Sequence, residues 1–122
     1  MWVIIKFDKK NLEFLKKELK KKLGDNFTIY SPKFSFQKYV NNKLIYKEFH
    51  LLGDYLFCFH KNFKNQSIIN SLKFTRGLKY LLDGYVQSQE EIKKFIKKCK
   101  DSESKKGYLT QNFFELYINS KY

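Results

Sequence analysis

Few residues in this chain have the chemistry of a catalyst. There are two histidines, His50 and His60, and two cysteines, Cys58 and Cys99. No Cys-x-x-Cys or His-x₃-His spacing links them, so the four lack the pattern of a metal-ligand set. The five glycines form no phosphate-cradling loop. Glu90-Glu91 follow Ser88 as a helix-capping box rather than as an acid–base pair. Cys58 lies within an apolar strand and Cys99 closes a helical stripe, and both read as small core residues. These patterns point away from an enzyme, a metal or a cofactor. One residue stands apart. Arg76 is the lone arginine among 25 basic side chains. A guanidinium fork holds a phosphate or a guanine edge through two bonds, which an ammonium cannot do. Pairing with Asp83 or another acid is its structural alternative.

The elements that must position these residues belong to one small domain. The chain has 122 residues, with 25 basic and 12 acidic side chains and a formal charge of +13. Such a field attracts phosphate backbones. Lysine in place of arginine, the lack of alanine and the many Asn, Ile, Phe and Tyr residues also fit A/T-rich codons. Part of the charge is therefore compositional drift, and a solvated lysine surface is the plain reading. No apolar run is long enough to span a bilayer, and the opening Met-Trp-Val-Ile-Ile lacks the layout of a signal peptide. Two cysteines form no disulfide framework, and a reducing, cytoplasmic setting is expected. At 43% apolar and 19% aromatic residues, the composition is that of a folded chain.

Apolar periodicity predicts the order β α β β β β α β α. Trp2–Phe7 reads as a strand. Leu12, Leu15, Leu19 and Leu23 form one helical face, capped by Asp8 or Asn11 and ended by Gly24. Phe27–Tyr30 is a second strand. Phe34–Val40 and Leu44–Phe49 flank Asn41-Asn42 as a hairpin. Tyr55–His60 is apolar on both faces, as in a covered central strand. A short helix over Ser67–Phe74 and a strand over Leu78–Leu82 follow. Ser88 caps a last helix that buries Ile92, Phe95, Ile96 and Cys99. The fold class expected is α+β, an antiparallel sheet with helices packed on it. Asp101–Gly107 reads as a linker or frayed end. In the apolar tail, Leu109, Phe113, Leu116 and Tyr117 suit a helix, and Phe114, Leu116 and Ile118 suit a strand.

The Trp-Val-Ile-Ile strand, the basic hairpin, the run Leu51-Leu52-Gly53-Asp54-Tyr55-Leu56-Phe57-Cys58-Phe59 and the run Thr75-Arg76-Gly77-Leu78 come in a telling order. Over residues 1–100 the chain resembles the N-terminal domain of the NusG family of transcription elongation factors, and most of all its RfaH-type specialised members. The resemblance implies a sandwich of sheet and helices, no catalysis and a monomer. It implies binding to the clamp helices of the largest catalytic subunit of RNA polymerase. Processive elongation, antitermination and contact with non-template DNA follow from the same likeness. It assigns Tyr55, Phe57, Leu78, Leu81, Ile92 and Phe95 to a hydrophobic depression for the clamp helices. It assigns Arg76, Lys9 and Lys10 to nucleic acid. A basic position of the family falls on Asp8, and the family's turn proline is Gly53 here. Residues 101–122 show no recognisable KOW domain, and the tail is a remnant, a truncated boundary or a flap over the depression.

A different class of function remains open on the same residues. A free-standing RNA-binding α+β module stacks bases on exposed sheet aromatics beside lysines. The two readings separate on whether Tyr55 and Phe57 line a closed apolar depression or an open face.

Overall fold

A computed structural model describes residues 1–111 and residue 113. In chain order it forms β1 (Trp2–Phe7), α1 (Leu12–Leu23), β2 (Thr28–Tyr30), β3 (Lys33–Val40), β4 (Lys43–His50), β5 (Tyr55–Phe59), α2 (Gln66–Leu72), β6 (Leu78–Leu81) and α3 (Gln89–Asp101). A 3₁₀ turn over Lys9–Asn11 leads into α1. The class is α+β, every strand pairing is antiparallel, and the element order matches the periodicity of the sequence. Two compact units result: Met1–Ser31 with Asp54–Glu90, and Pro32–Gly53 with the chain from Glu91 onward.

The first unit holds a four-stranded sheet in the order β2-β5-β1-β6. Alternation along β1 buries Val3, Ile5 and Phe7 on one face. Leu15, Leu19 and Leu23 of α1 and Ile69 and Leu72 of α2 pack on that face, with Leu56 and Cys58 of β5. Each fully buried leucine contributes about 1.5–3 kcal/mol before ordering costs. Asp8 caps the 3₁₀ turn that leads into α1, and Asn11, at the N-cap position of α1 itself, makes no side-chain capping bond. The Asp8 carboxylate accepts from the Lys10 amide at 3.2 Å and the Asn11 side chain at 2.9 Å. These bonds, that of Asn11 foremost, hold the Asp8 carboxyl below the usual range.

Helix α2 stops at Leu72, two residues short of Phe74, and Lys22 Nζ reaches both the Ser71 carbonyl and Thr75 Oγ1 at 2.9 Å in the turn that follows. Past β6 the chain leaves the sheet, and a side chain takes the place of a strand. The Gln89 carboxamide accepts from Trp2 N–H at 2.8 Å and donates to the Trp2 carbonyl at 2.7 Å.

The second unit contains the β3–β4 hairpin. Its two-residue turn has Asn41 at φ +52° and Asn42 at φ +63°, the left-handed pair that matches strand twist. Ile92, Ile96 and Cys99 form the buried stripe of α3, and Phe95 is half-buried beside it. The stretch expected to be a linker is an ordered turn. Ser104 N–H donates to the Tyr108 carbonyl at 2.7 Å, and Thr110 N–H and Oγ1 both reach the Ser102 carbonyl. Leu109 and Phe113 are buried. The tail residues Phe114, Leu116, Tyr117 and Ile118, and with them the flap over the depression, lie outside the described residues.

Candidate functional site

Strand register sorts the predicted contact residues onto faces. Lys6 pairs with Tyr55, Ile4 with Phe57 and Trp2 with Phe59, so these six share the sheet face away from α1. Lys6 also pairs with Tyr80, which brings that ring to the same face. The Tyr55 and Tyr80 hydroxyls are 2.9 Å apart, and Lys6 Nζ sits 4.5 Å from the Tyr55 ring centre. The shared hydroxyl bond raises the Tyr80 pKa above its ordinary value. Trp2 meets Phe57 edge-on, ring centres 6.3 Å apart, and Phe59 at 5.3 Å. The result is an aromatic face with one ammonium.

The grouping expected for this depression changes in two places. Phe57 is only 4% exposed, so the accessible ring of the Tyr55/Phe57 pair is Tyr55. Leu78 and Leu81 do not line this face. They pair with Phe7 and Ile5 and join the core under α1. The cause is a register shift between Lys6 and Phe7, which adds a residue opposite them and leaves two leucines three apart on one side. Ile92 is buried and Phe95 half-buried, both in the second unit.

The polar residues assemble at the other end of α1. Asp8 N–H donates to the Gly77 carbonyl at 2.9 Å, which lays the Thr75–Gly77 turn against the start of the helix. Arg76, Lys9 and Lys10 thus stand exposed on adjoining backbone. The Arg76 guanidinium lies 4.8 Å from the Phe14 ring centre. Among the described residues it pairs with no carboxylate, Asp83 included. Lys9 reaches Asp54 at 3.4 Å. Lys9 is the exposed partner of that pair, whereas the Asp54 Oδ1 it meets is buried.

Sequence reasoning missed two aromatics here. Phe74 is 88% exposed and Phe14 40% exposed. Phe14 carried a signal, being an aromatic off the leucine stripe on a helix face otherwise polar. Phe74 carried none until the end of α2 was known. Flat rings beside a guanidinium and ammoniums are what unstacked bases pack on.

The histidines and cysteines do not converge. His60 is buried, with Nδ1 accepting from Asn62 N–H at 3.1 Å and Nε2 facing the Leu23 carbonyl at 3.1 Å. Both ring nitrogens are thereby used in structure. Among the described residues no group of three or more His, Cys, Asp or Glu side chains is placed to hold a metal ion. No helix among them is long and apolar enough to cross a membrane.

No protein-family model matches the chain, and no curated protein matches it.

Proposed function

We propose that the chain is a transcription elongation and antitermination factor that binds RNA polymerase and contacts exposed non-template DNA, working in the cytoplasm without catalysis. The observation that carries this reading is Arg76. A guanidinium stacked on a half-exposed ring and unpaired with any acid among the described residues is ready for a phosphate or a guanine edge. Lys9 and Lys10 add sequence-independent attraction at the same edge. For the clamp helices, the accessible contact is Tyr55 with Tyr80, supported from below by Phe57. Leu78 and Leu81 act through the core that sets β6, and Ile92 and Phe95 are assigned by the resemblance alone.

The test is a reconstituted elongation assay with purified RNA polymerase and the full chain. Arg76→Ala is expected to weaken recruitment to a paused complex while leaving binding to the isolated clamp-helix fragment intact. Tyr55→Ala is expected to weaken clamp binding by about 1 kcal/mol, as fits a half-buried ring. Absence of binding to polymerase overturns the reading.

The RNA-binding module keeps one specific observation in its favour. Register places Phe36, Phe49, Lys38, Lys43 and Lys47 on one face of the β3–β4 hairpin, and all five are exposed. Tight binding of oligouridylate without polymerase, lost on Phe36→Ala, favours that module.

A further inference from the structure

We propose that the outer edge of β4 takes an extended acidic peptide from a partner protein, added antiparallel as a third strand of the β3–β4 hairpin. The hairpin is a two-stranded sheet with eight residues in each strand. A ribbon of this kind gains stability from a third strand. Its two-residue turn makes Val40 and Lys43 a hydrogen-bonded pair, so alternation along the ladder turns the amides and carbonyls of Leu44, Tyr46 and Glu48 outward. The same alternation turns the Lys33 carbonyl outward on β3, where it accepts from Leu109 N–H at 2.8 Å. The β4 edge carries no such contact. Among the described residues, no backbone group of residues 43–49 bonds outside the hairpin.

The side chains say what kind of strand fits. Register puts Lys43, Ile45, Lys47 and Phe49 on one face of β4 and Leu44, Tyr46 and Glu48 on the other. All but the half-buried Ile45 are exposed, Tyr46 to 67%. A strand laid along the edge flanks apolar side chains on both faces, whereas a helix or a flat surface covers one. Lys43 and Lys47 meet no carboxylate within ion-pair distance among the described residues. Glu48 is already engaged, by Lys33 at 3.5 Å and by Tyr108 Oη at 2.6 Å. The charge left to a newcomer is positive.

Lysines on an edge strand guard it against unwanted pairing. A second copy of this chain brings the same lysines and a further +13, and is repelled. A strand with carboxylates opposite Lys43 and Lys47 passes the guard, because side chains directly opposite lie about 4.5–5.5 Å apart. Backbone bonds then supply affinity and the alternate side chains supply selectivity. The matching ligand has two acids four positions apart and an aliphatic residue midway, over Ile45. Its β-branched residues face Leu44 and Tyr46. An RNA strand on the lysine face leaves the peptide groups of the edge, and Leu44 and Tyr46 behind it, without partners. The edge belongs to the second unit alone, so its occupation does not depend on the polymerase reading.

The probe is a fluorescein-labelled, C-terminally amidated heptapeptide, Thr-Glu-Val-Ile-Val-Glu-Thr. Binding to the full chain is read by polarisation, and protection of single amides by NMR hydrogen exchange. Saturable binding is expected, with new protection at the alternate amides of Leu44, Tyr46 and Glu48. Lys43→Glu with Lys47→Glu should weaken it about tenfold, the loss of two exposed charge contacts. Lys43→Gln with Lys47→Gln serves if the reversal disturbs the fold by circular dichroism, with a smaller loss in the same direction. Methylation of the two valine nitrogens, which face the edge, should abolish binding. Methylation of the isoleucine nitrogen, which faces away, should spare it. Equal loss from the two methylations overturns the proposal. So does a dimer of the free chain in sedimentation with those three amides already protected, or binding of heptauridylate at these lysines with none by the peptide.

Discussion

Gly77 is where the backbone geometry beside Arg76 can be tested by a single methyl group. Its φ is +92°, a region that costs an L-residue about 1–2 kcal/mol. A Cβ there lies 2.9 Å from the Asn11 carbonyl oxygen and 3.0 Å from Leu15 Cβ. The first neighbour is backbone and the second belongs to a fully buried side chain, so neither yields freely. Overpacking of this kind adds about 1–3 kcal/mol. Gly77→Ala should therefore lose about 3 kcal/mol in all. Gly84 is the internal control, because its φ of +84° carries the backbone cost while nothing lies within 4 Å of its Cβ position. Gly84→Ala should lose about 1 kcal/mol. Thermal unfolding followed by circular dichroism measures both. At roughly 3–6 °C per kcal/mol for a chain of this length, the midpoints should fall about 10 °C and about 4 °C. Equal losses for the two variants would show that the close approach of the Thr75–Gly77 turn to α1 is wrong. The packing that presents Arg76 would then be wrong as well.

Two other outcomes follow from named contacts. Tyr108 Oη donates to Glu48 Oε1 at 2.6 Å, and that bond, with Lys33 at 3.5 Å, holds the Glu48 carboxyl below the usual range. Tyr108→Phe should move Glu48 up toward an ordinary glutamate in an NMR titration. The stability this pair supplies is present above the unfolded carboxylate pKa and is lost as pH falls through the folded value. Cys58 is fully buried, which pushes its thiol up to about 12. Iodoacetamide in mildly alkaline buffer should therefore alkylate Cys58 only as fast as the protein unfolds, checked by mass spectrometry beside an unfolding trace.

Local signals carried most of the fold. The leucine spacing of α1, the alternation of β1 and the Asn41-Asn42 turn each specify an element through contacts between near neighbours. The lone arginine was equally legible, since residue type alone sets it apart. Which residues surround it was not. Phe14 becomes a neighbour of Arg76 only when the Thr75–Gly77 turn docks on α1. Phe57 looked like half of an accessible pair because alternation assigns a residue to a face of the sheet. Alternation says nothing of whether that face is covered.

The amino-acid order by itself determined the succession of strands and helices, the apolar stripe of each and the excess of positive charge. All of these depend on residues within a few positions of one another. Only the tertiary structure decided the lateral order β2-β5-β1-β6 and the shift at Lys6/Phe7 that sends Leu78 and Leu81 under α1. It also placed Phe27 and Ile29 beside the lysines of α1. Those features come from pairings between distant segments, where one added residue in a strand turns a side chain from one face to the other.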